Sequence, residues 1–233
     1  MISAQFARPR GLLGRLVGRT MARQNAQLTL RVVAALNLRG DETVIEFGPG
    51  PGVGLRLLAQ ALPTGRVIGV EPSPVMRAQA AARTRRFANR VELIDATAET
   101  TPLAAGSIDA VCAVNNVQLW QPLPASLARV LQLLRPGGTV AFGITEHAVL
   151  LDGSSAGRDF DTQLLPRLAE AGFTDLTAAW KPGGNGLELL VEGRRPLSLT
   201  GAGRQTTVLV AGVATSSLRE PPLHGLGTLL PEH

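Results

Sequence analysis

The chain has 233 residues, a formal net charge of +5 and 45% hydrophobic residues, which suits one α/β domain with extensions better than two full domains. Its single cysteine, Cys112, excludes an intrachain disulfide, and no Cys/His grouping has metal-ligand spacing, so no metal site is expected. No apolar run is long enough to cross a membrane and the N-terminus does not read as a secretory signal, so a reducing, cytoplasmic setting is expected.

Residues 1–40 contain seven arginines and no acid. From Met21 onward Leu28, Val32, Ala35 and Leu36 fall on one face at helical spacing. This segment reads either as a basic lid or membrane-surface helix, or as a helix packed on the domain with solvated arginines. Lys181 is the only lysine. Arginine in place of lysine, with abundant Ala, Gly and Pro, reads as base composition rather than as a nucleic-acid footprint.

A repeating strand–helix pattern follows. Thr43 to Phe47 reads as a buried strand, Val53 to Leu62 as a helix, and Arg66 to Val70 as the second strand. Pro74 to Arg86 is Ala/Arg-rich and helical, with proline at its first turn. Val91 to Ile94 and Ile108 to Val114 are further strands, and Pro124 to Leu134 is a helix. Arg135-Pro136-Gly137-Gly138 stops that helix and turns into a fifth strand, Thr139 to Ile144. This alternation implies a parallel sheet with helices on both faces. A helix over Phe160 to Ala171 then leads to a hairpin, Phe173 to Trp180 and Leu187 to Glu192, around a Gly-rich turn. Three regions result: a basic extension over 1–40, a ligand-binding domain over 41–195, and an extension of unassigned role over 196–233 with one strand-like run, Thr207 to Val210.

The chemistry gathers at Glu46-Phe47-Gly48-Pro49-Gly50-Pro51-Gly52, where the first strand meets the first helix of the repeat. Ligands of open parallel sheets bind at the carboxyl ends of the strands. Glycines there let the backbone come close to a ligand, and the helix N-terminus favours an anionic group such as an amino-acid carboxylate, whose ammonium Glu46 can face. A dinucleotide fingerprint fails in both registers, because Val53 and Leu55 stand where its third glycine belongs. Glu71, before Pro72, ends the second strand, where a solvent-facing carboxylate can accept both ribose hydroxyls. Asp95 ends the third; it can take an adenine amino group, with the Ala96 N–H as a donor beside it.

Residues 43–144 resemble a class I S-adenosyl-L-methionine-dependent methyltransferase, and are similar to the small-molecule branch that includes the ubiquinone/menaquinone C-methyltransferases. The matching pieces are Glu46 to Gly52, Glu71, Asp95-Ala96, Ser107-Ile108-Asp109 and Leu134-Arg135-Pro136-Gly137-Gly138. The resemblance implies a Rossmann-like, mostly parallel seven-stranded sheet with an antiparallel terminal hairpin. It implies S-adenosyl-L-methionine as donor and S-adenosyl-L-homocysteine as product. Glu46, Gly48, Pro49, Gly50, Gly52, Glu71, Pro72, Asp95, Ala96 and Asn115 are its candidate cofactor-binding residues.

Candidates for acting on an acceptor lie at the ends of the fourth and fifth strands: Asn116, Glu146 and His147. Trp120 reads as a pocket wall or as core. Asn115-Asn116-Val117-Gln118 lacks the Asn/Asp-Pro-Pro-Tyr-like tetrapeptide of nucleic-acid and protein-amide N-methyltransferases, and Cys112 sits mid-strand, poorly placed as a nucleophile. Both points favour a small molecule over nucleic acid, and the leading reading is an O-, N- or C-methyltransferase for a small, apolar or aromatic metabolite. An RNA methyltransferase and a non-catalytic cofactor-binding regulator are the alternatives. Peripheral membrane contact through the Arg-rich N-terminus and a homodimer stay open, and residues beyond Arg195 are expected to be dispensable for donor binding.

Overall fold

Short buried apolar runs separated by amphipathic helices build one mixed sheet. The structure is a computed structural model that describes residues 25–151, 160–184, 186–197 and 209–211. Strands β1 (Thr43–Phe47), β2 (Arg66–Val70), β3 (Val91–Ile94), β4 (Ile108–Val114) and β5 (Leu134–Thr145) are parallel. The hairpin of β6 (Thr174–Gly183) and β7 (Gly186–Arg194) docks through β7, antiparallel to β5. The sheet order is β3-β2-β1-β4-β5-β7-β6-β8, the expected seven strands plus a short β8 (Leu209–Ala211) pairing parallel with β6. That eighth strand comes from the strand-like run in the C-terminal extension.

Helices α1 (Ala26–Ala35), α2 (Val53–Ala61) and α3 (Pro74–Thr84) cover one face through Leu28, Val32, Leu55, Leu58 and Ala80. Helices α4 (Leu123–Leu133) and α6 (Phe160–Ala171) cover the other through Leu127, Val130, Leu133 and Leu168. A short α5 (Glu146–Leu151), not foreseen in the sequence, follows β5 directly. The pleat of β1 sends Ile45 and Phe47 to the α4/α6 side and Val44 to the α1–α3 side. Glu46 therefore points, with Val44, towards α1–α3.

Two boundaries differ from the sequence reading for visible reasons. Strand β5 starts at Leu134 rather than Thr139, because Leu134 pairs with Ile108 across a register shift. Gly137 N–H donates to Arg195 O (3.0 Å) and Arg195 N–H to Gly138 O (2.8 Å), so Arg135-Pro136-Gly137-Gly138 is strand rather than turn. Helix α3 gives way at Arg85 to a 3₁₀ turn, Arg85–Phe87. At its start Ser73 Oγ accepts the Met76 N–H (3.4 Å), with Pro74 in the first turn as expected.

Helix α1 packs on the sheet through Leu28, Val32 and Leu36, the face that the spacing picked out. Arg8 to Arg19, the basis of the lid and membrane readings, lie outside the described residues. Among the described residues no helix is long and apolar enough to cross a membrane. The close seat of α1 depends on Gly143 of β5, where a Cβ would lie 2.5 Å from Val32 Cγ2 and 2.9 Å from Leu28 Cδ1. Gly143→Val is therefore expected to overpack this contact and cost about 1–3 kcal/mol in urea unfolding. An unchanged unfolding midpoint would show that α1 does not hold this position in solution.

Candidate active site

The site forms where β1 and β4 part at the carboxyl edge of the sheet. The turn after β1 is shaped by glycines with positive φ, Gly48 (63°), Gly50 (51°) and Gly52 (81°). Two of them also answer to crowding. A Cβ on Gly48 would collide with the Asn116 side-chain amide, and one on Gly52 would lie 2.8 Å from Ala80 Cα. Gly52 caps α2 in the left-handed conformation, without any side chain closing the helix end. The start of that helix lines an open cleft of about 380 Å³, together with Asn25 and Thr29 at the start of α1, Glu46, the loop from Gly48 to Pro51 and Val114.

Glu46 is the charge problem of this cleft. It is 3% exposed, and its Oε2 has no hydrogen-bond partner. The Leu55 N–H of α2 works against that burial by favouring the ionised carboxylate. Gly54 lies so close that a Cβ there would collide with the carboxylate. Burial first, and then the Glu71 carboxylate, push its pKa up to about 8. The Cys112 thiol, on the strand beside it, is also raised, by burial and by Glu46.

Glu71 departs from the sequence reading. It is 7% exposed rather than solvent-facing. Its Oε2 accepts Gly50 N–H (3.1 Å) and its Oε1 accepts Ser73 N–H (2.9 Å), so it fastens the glycine loop to the start of α3. Burial raises its pKa, against the Ser73 and Gly50 bonds and Arg77. Arg77 donates to Glu71 O (2.6 Å) and to Asp95 Oδ2 (2.6 Å), tying together the ends of β2 and β3. Pro72 is exposed and Ala96 buried.

Asn115 and the amide oxygen of Asn116 are committed within the protein. Asn115, at φ 48°, accepts from Thr145 N–H (2.7 Å) and Thr145 Oγ1 (3.2 Å), and donates to Asn25 Oδ1 (3.0 Å). Asn116 Oδ1 accepts the Trp120 Nε1–H (2.6 Å). Trp120 is core: it is buried and meets Phe47 (5.5 Å) and Phe142 (5.6 Å) edge-on. Glu146 and His147 open α5, with His147 exposed. Several of the described arginines are ion-paired, Arg31 with Glu188, Arg66 with Glu92, Arg77 with Asp95 and Arg135 with Asp109.

The structure thus gathers Glu46, Gly48, Pro49 and Gly50 around one cleft, keeps Gly52 at its helix end, and ties Glu71 to the loop through the Gly50 N–H. Asp95 and Ala96 sit two strands away along the same edge. Sequence reasoning missed Asn25 and Thr29. Their only local signal is an asparagine just before a helical run; the partner that makes Asn25 informative is 90 residues away.

Residues 44–138 match a family model described as a methyltransferase domain. The chain is 28% identical over 167 residues to the uncharacterized methyltransferase YdaC of Bacillus subtilis, covering 71% of this chain and 90% of that one. It is 27% identical over 141 residues to the ubiquinone/menaquinone biosynthesis C-methyltransferase UbiE of Syntrophotalea carbinolica, covering 60% of this chain and 59% of the relative. The geranyl diphosphate C-methyltransferase of Streptomyces coelicolor A3(2), solved with geranyl diphosphate and S-adenosyl-L-homocysteine, shares the fold with a TM-score of 0.59 at 15% identity, over 74% of this chain and 80% of that one. These likenesses meet on the stretch that builds most of the cleft: residues 44–138 are a methyltransferase domain, and the likenesses support S-adenosyl-L-methionine as its cofactor.

Proposed function

We propose that the chain transfers a methyl group to a small, apolar or aromatic acceptor, with the donor held in the cleft between β1 and β4. The observation that carries this reading is Glu46 Oε2, a buried acceptor without a partner on the wall of a cleft that the start of α2, N-capped only by Gly52, also lines. An α-amino-acid group answers both needs: its ammonium meets Glu46 and its carboxylate meets the N–H groups of α2. The donor supplies a methyl group already activated on a sulfonium.

The chain's task is then to orient the two partners and exclude water. Glu71 accepts from the ribose hydroxyls while it holds Gly50. Asp95 offers its Oδ1 to the adenine amino group while Oδ2 stays on Arg77, and the Ala96 N–H donates beside it. Asn115 and Asn116 act as positioning residues, through Thr145 and Trp120. Glu146 and His147, at the end of β5, are the candidate bases for an acceptor that must lose a proton. A small acceptor is supported by the names of the relatives, which act in quinone biosynthesis and on geranyl diphosphate.

The direct test is calorimetry with S-adenosyl-L-homocysteine, followed by labelled donor with a panel of quinols, phenols and prenyl compounds. Binding and label transfer to one class are expected. NAD binding without S-adenosyl-L-homocysteine binding would overturn the reading. Glu71→Ala should raise the dissociation constant of S-adenosyl-L-homocysteine at least tenfold, given charge-assisted bonds of about 1.5–3 kcal/mol each. It should also lower apo stability by about 1–3 kcal/mol, because the Gly50 and Ser73 N–H groups lose their acceptor. Intact affinity in a folded variant would remove Glu71 from the donor site.

Glu46 gives a pH signature. Its pKa is about 8 in the folded apo protein, against 4.5 for an ordinary glutamate. Between those values the folded protein keeps a proton that the unfolded chain has lost. Apo stability should therefore fall as pH rises through this window, by up to about 1.4 kcal/mol per unit from this group, and level off above it. The bound ammonium favours the ionised form, so affinity for S-adenosyl-L-homocysteine should rise over the same range. Glu46→Gln should flatten both trends, read by urea unfolding and calorimetry from pH 5 to 8.5. Retention of both slopes in that variant would place the titrating group elsewhere.

A further inference from the structure

Helix α1 reaches the cleft with its first residues. Asn25 and Thr29 line it beside Glu46 and the glycine loop. The helix is held there by Leu28 and Val32 against β5, and by Arg31, which donates to Glu188 Oε2 (2.8 Å) and to Pro182 O (2.9 Å). Thr29 Oγ1 is turned back onto Asn25 O (2.7 Å).

The orientation of the Asn25 amide follows from its neighbours. Thr145 N–H can only donate, so the Asn115 atom facing it at 2.7 Å is Oδ1. Asn115 must then present its NH₂ to Asn25, which receives it on Oδ1 at 3.0 Å. The Asn25 NH₂ is left over, and among the described residues no acceptor meets it. The cleft therefore carries an uncommitted donor on the α1 wall and, on the strand side, an acceptor without a partner, Glu46 Oε2. That is the polarity of a zwitterionic amino-acid group: ammonium towards Glu46, carboxylate towards Asn25 and the α2 N-terminus.

We propose that Asn25 binds the carboxylate of the donor's amino-acid group through its side-chain NH₂, which makes α1 a working wall of the donor site. The inference rests on the donor reading above. It extends the site to a helix outside the 44–138 stretch that matches the family model.

Asn25→Asp is the discriminating variant. It keeps an oxygen for the Asn115 NH₂, so the link to β4 survives, and it replaces the donor by a negative oxygen. Two probes are titrated into wild type and variant by calorimetry: S-adenosyl-L-homocysteine, and 5′-methylthioadenosine, which lacks the amino-acid group. The variant should bind S-adenosyl-L-homocysteine at least about tenfold more weakly, the worth of one charge-assisted bond. It should bind 5′-methylthioadenosine within about twofold of wild type, and its melting temperature should hold. Asn25→Ala, which removes the donor without adding charge, must show the same selectivity, and it decides the matter if the aspartate variant does not fold. Equal losses for both probes, or unchanged binding of S-adenosyl-L-homocysteine, would overturn the proposal. Wild type that binds neither probe would defeat the donor reading itself, and this inference with it.

Discussion

Taking a carboxylate out of water without a counter-charge is costly for any fold, and the cost grows as the surroundings become apolar. Glu46 sits in that position, and much of the site is arranged around it. The pleat of β1 fixes which face it occupies. Gly54 has to lack a side chain because the carboxylate fills that space. The Leu55 N–H favours the ionised carboxylate, from a helix whose N-cap residue, Gly52, has no side chain to offer. Glu71, close enough to raise the pKa of Glu46, is itself pinned by two backbone amides. The apo protein resolves the conflict by keeping a proton on Glu46. In the proposed donor complex the ligand's ammonium resolves it differently, which would turn a local misfit into binding selectivity.

Around that centre the strand ends are tied sideways by polar links rather than by apolar packing. Arg77 joins β2 to β3, and Asn115 joins β4 to β5 and to α1. Asn116 holds the indole of Trp120 between Phe47 and Phe142. Parallel strands have no hairpins to fix the spacing of their ends at the ligand edge, so side chains do that work here. A cleft whose rims are cross-braced keeps its donors and acceptors at fixed separations, which is what alignment of a methyl group with a nucleophile demands.

What could be read in the sequence was what depends on near neighbours in the chain. The limits of β3 and β4, the hairpin and the glycine loop all follow from runs of residues whose pattern is local. The fold class followed from their order. Glu71 was placed at the right strand end but with the wrong surroundings, because its two N–H partners belong to a loop 21 residues back and to the next turn. The start of β5 was misplaced for a similar reason. A Pro-Gly-Gly sequence reads as a turn until Arg195, far along the chain, pairs with it. The Asn25 wall was invisible because its meaning resides in Asn115, and that of Asn115 in Thr145.

The eighth strand has a bearing on how the protein behaves in bulk. Without β8, the open side of β6 would present a row of unpaired amides and carbonyls, a template for another chain to pair with. Leu209–Ala211 occupies part of that row, in parallel with Thr177, Ala178 and Ala179. The strand lies at the opposite edge of the sheet from β3, five places from β1, so it is remote from the donor cleft. By ending the sheet in a strand of three residues, it replaces part of a long border with a short one, which offers another chain less length to add to.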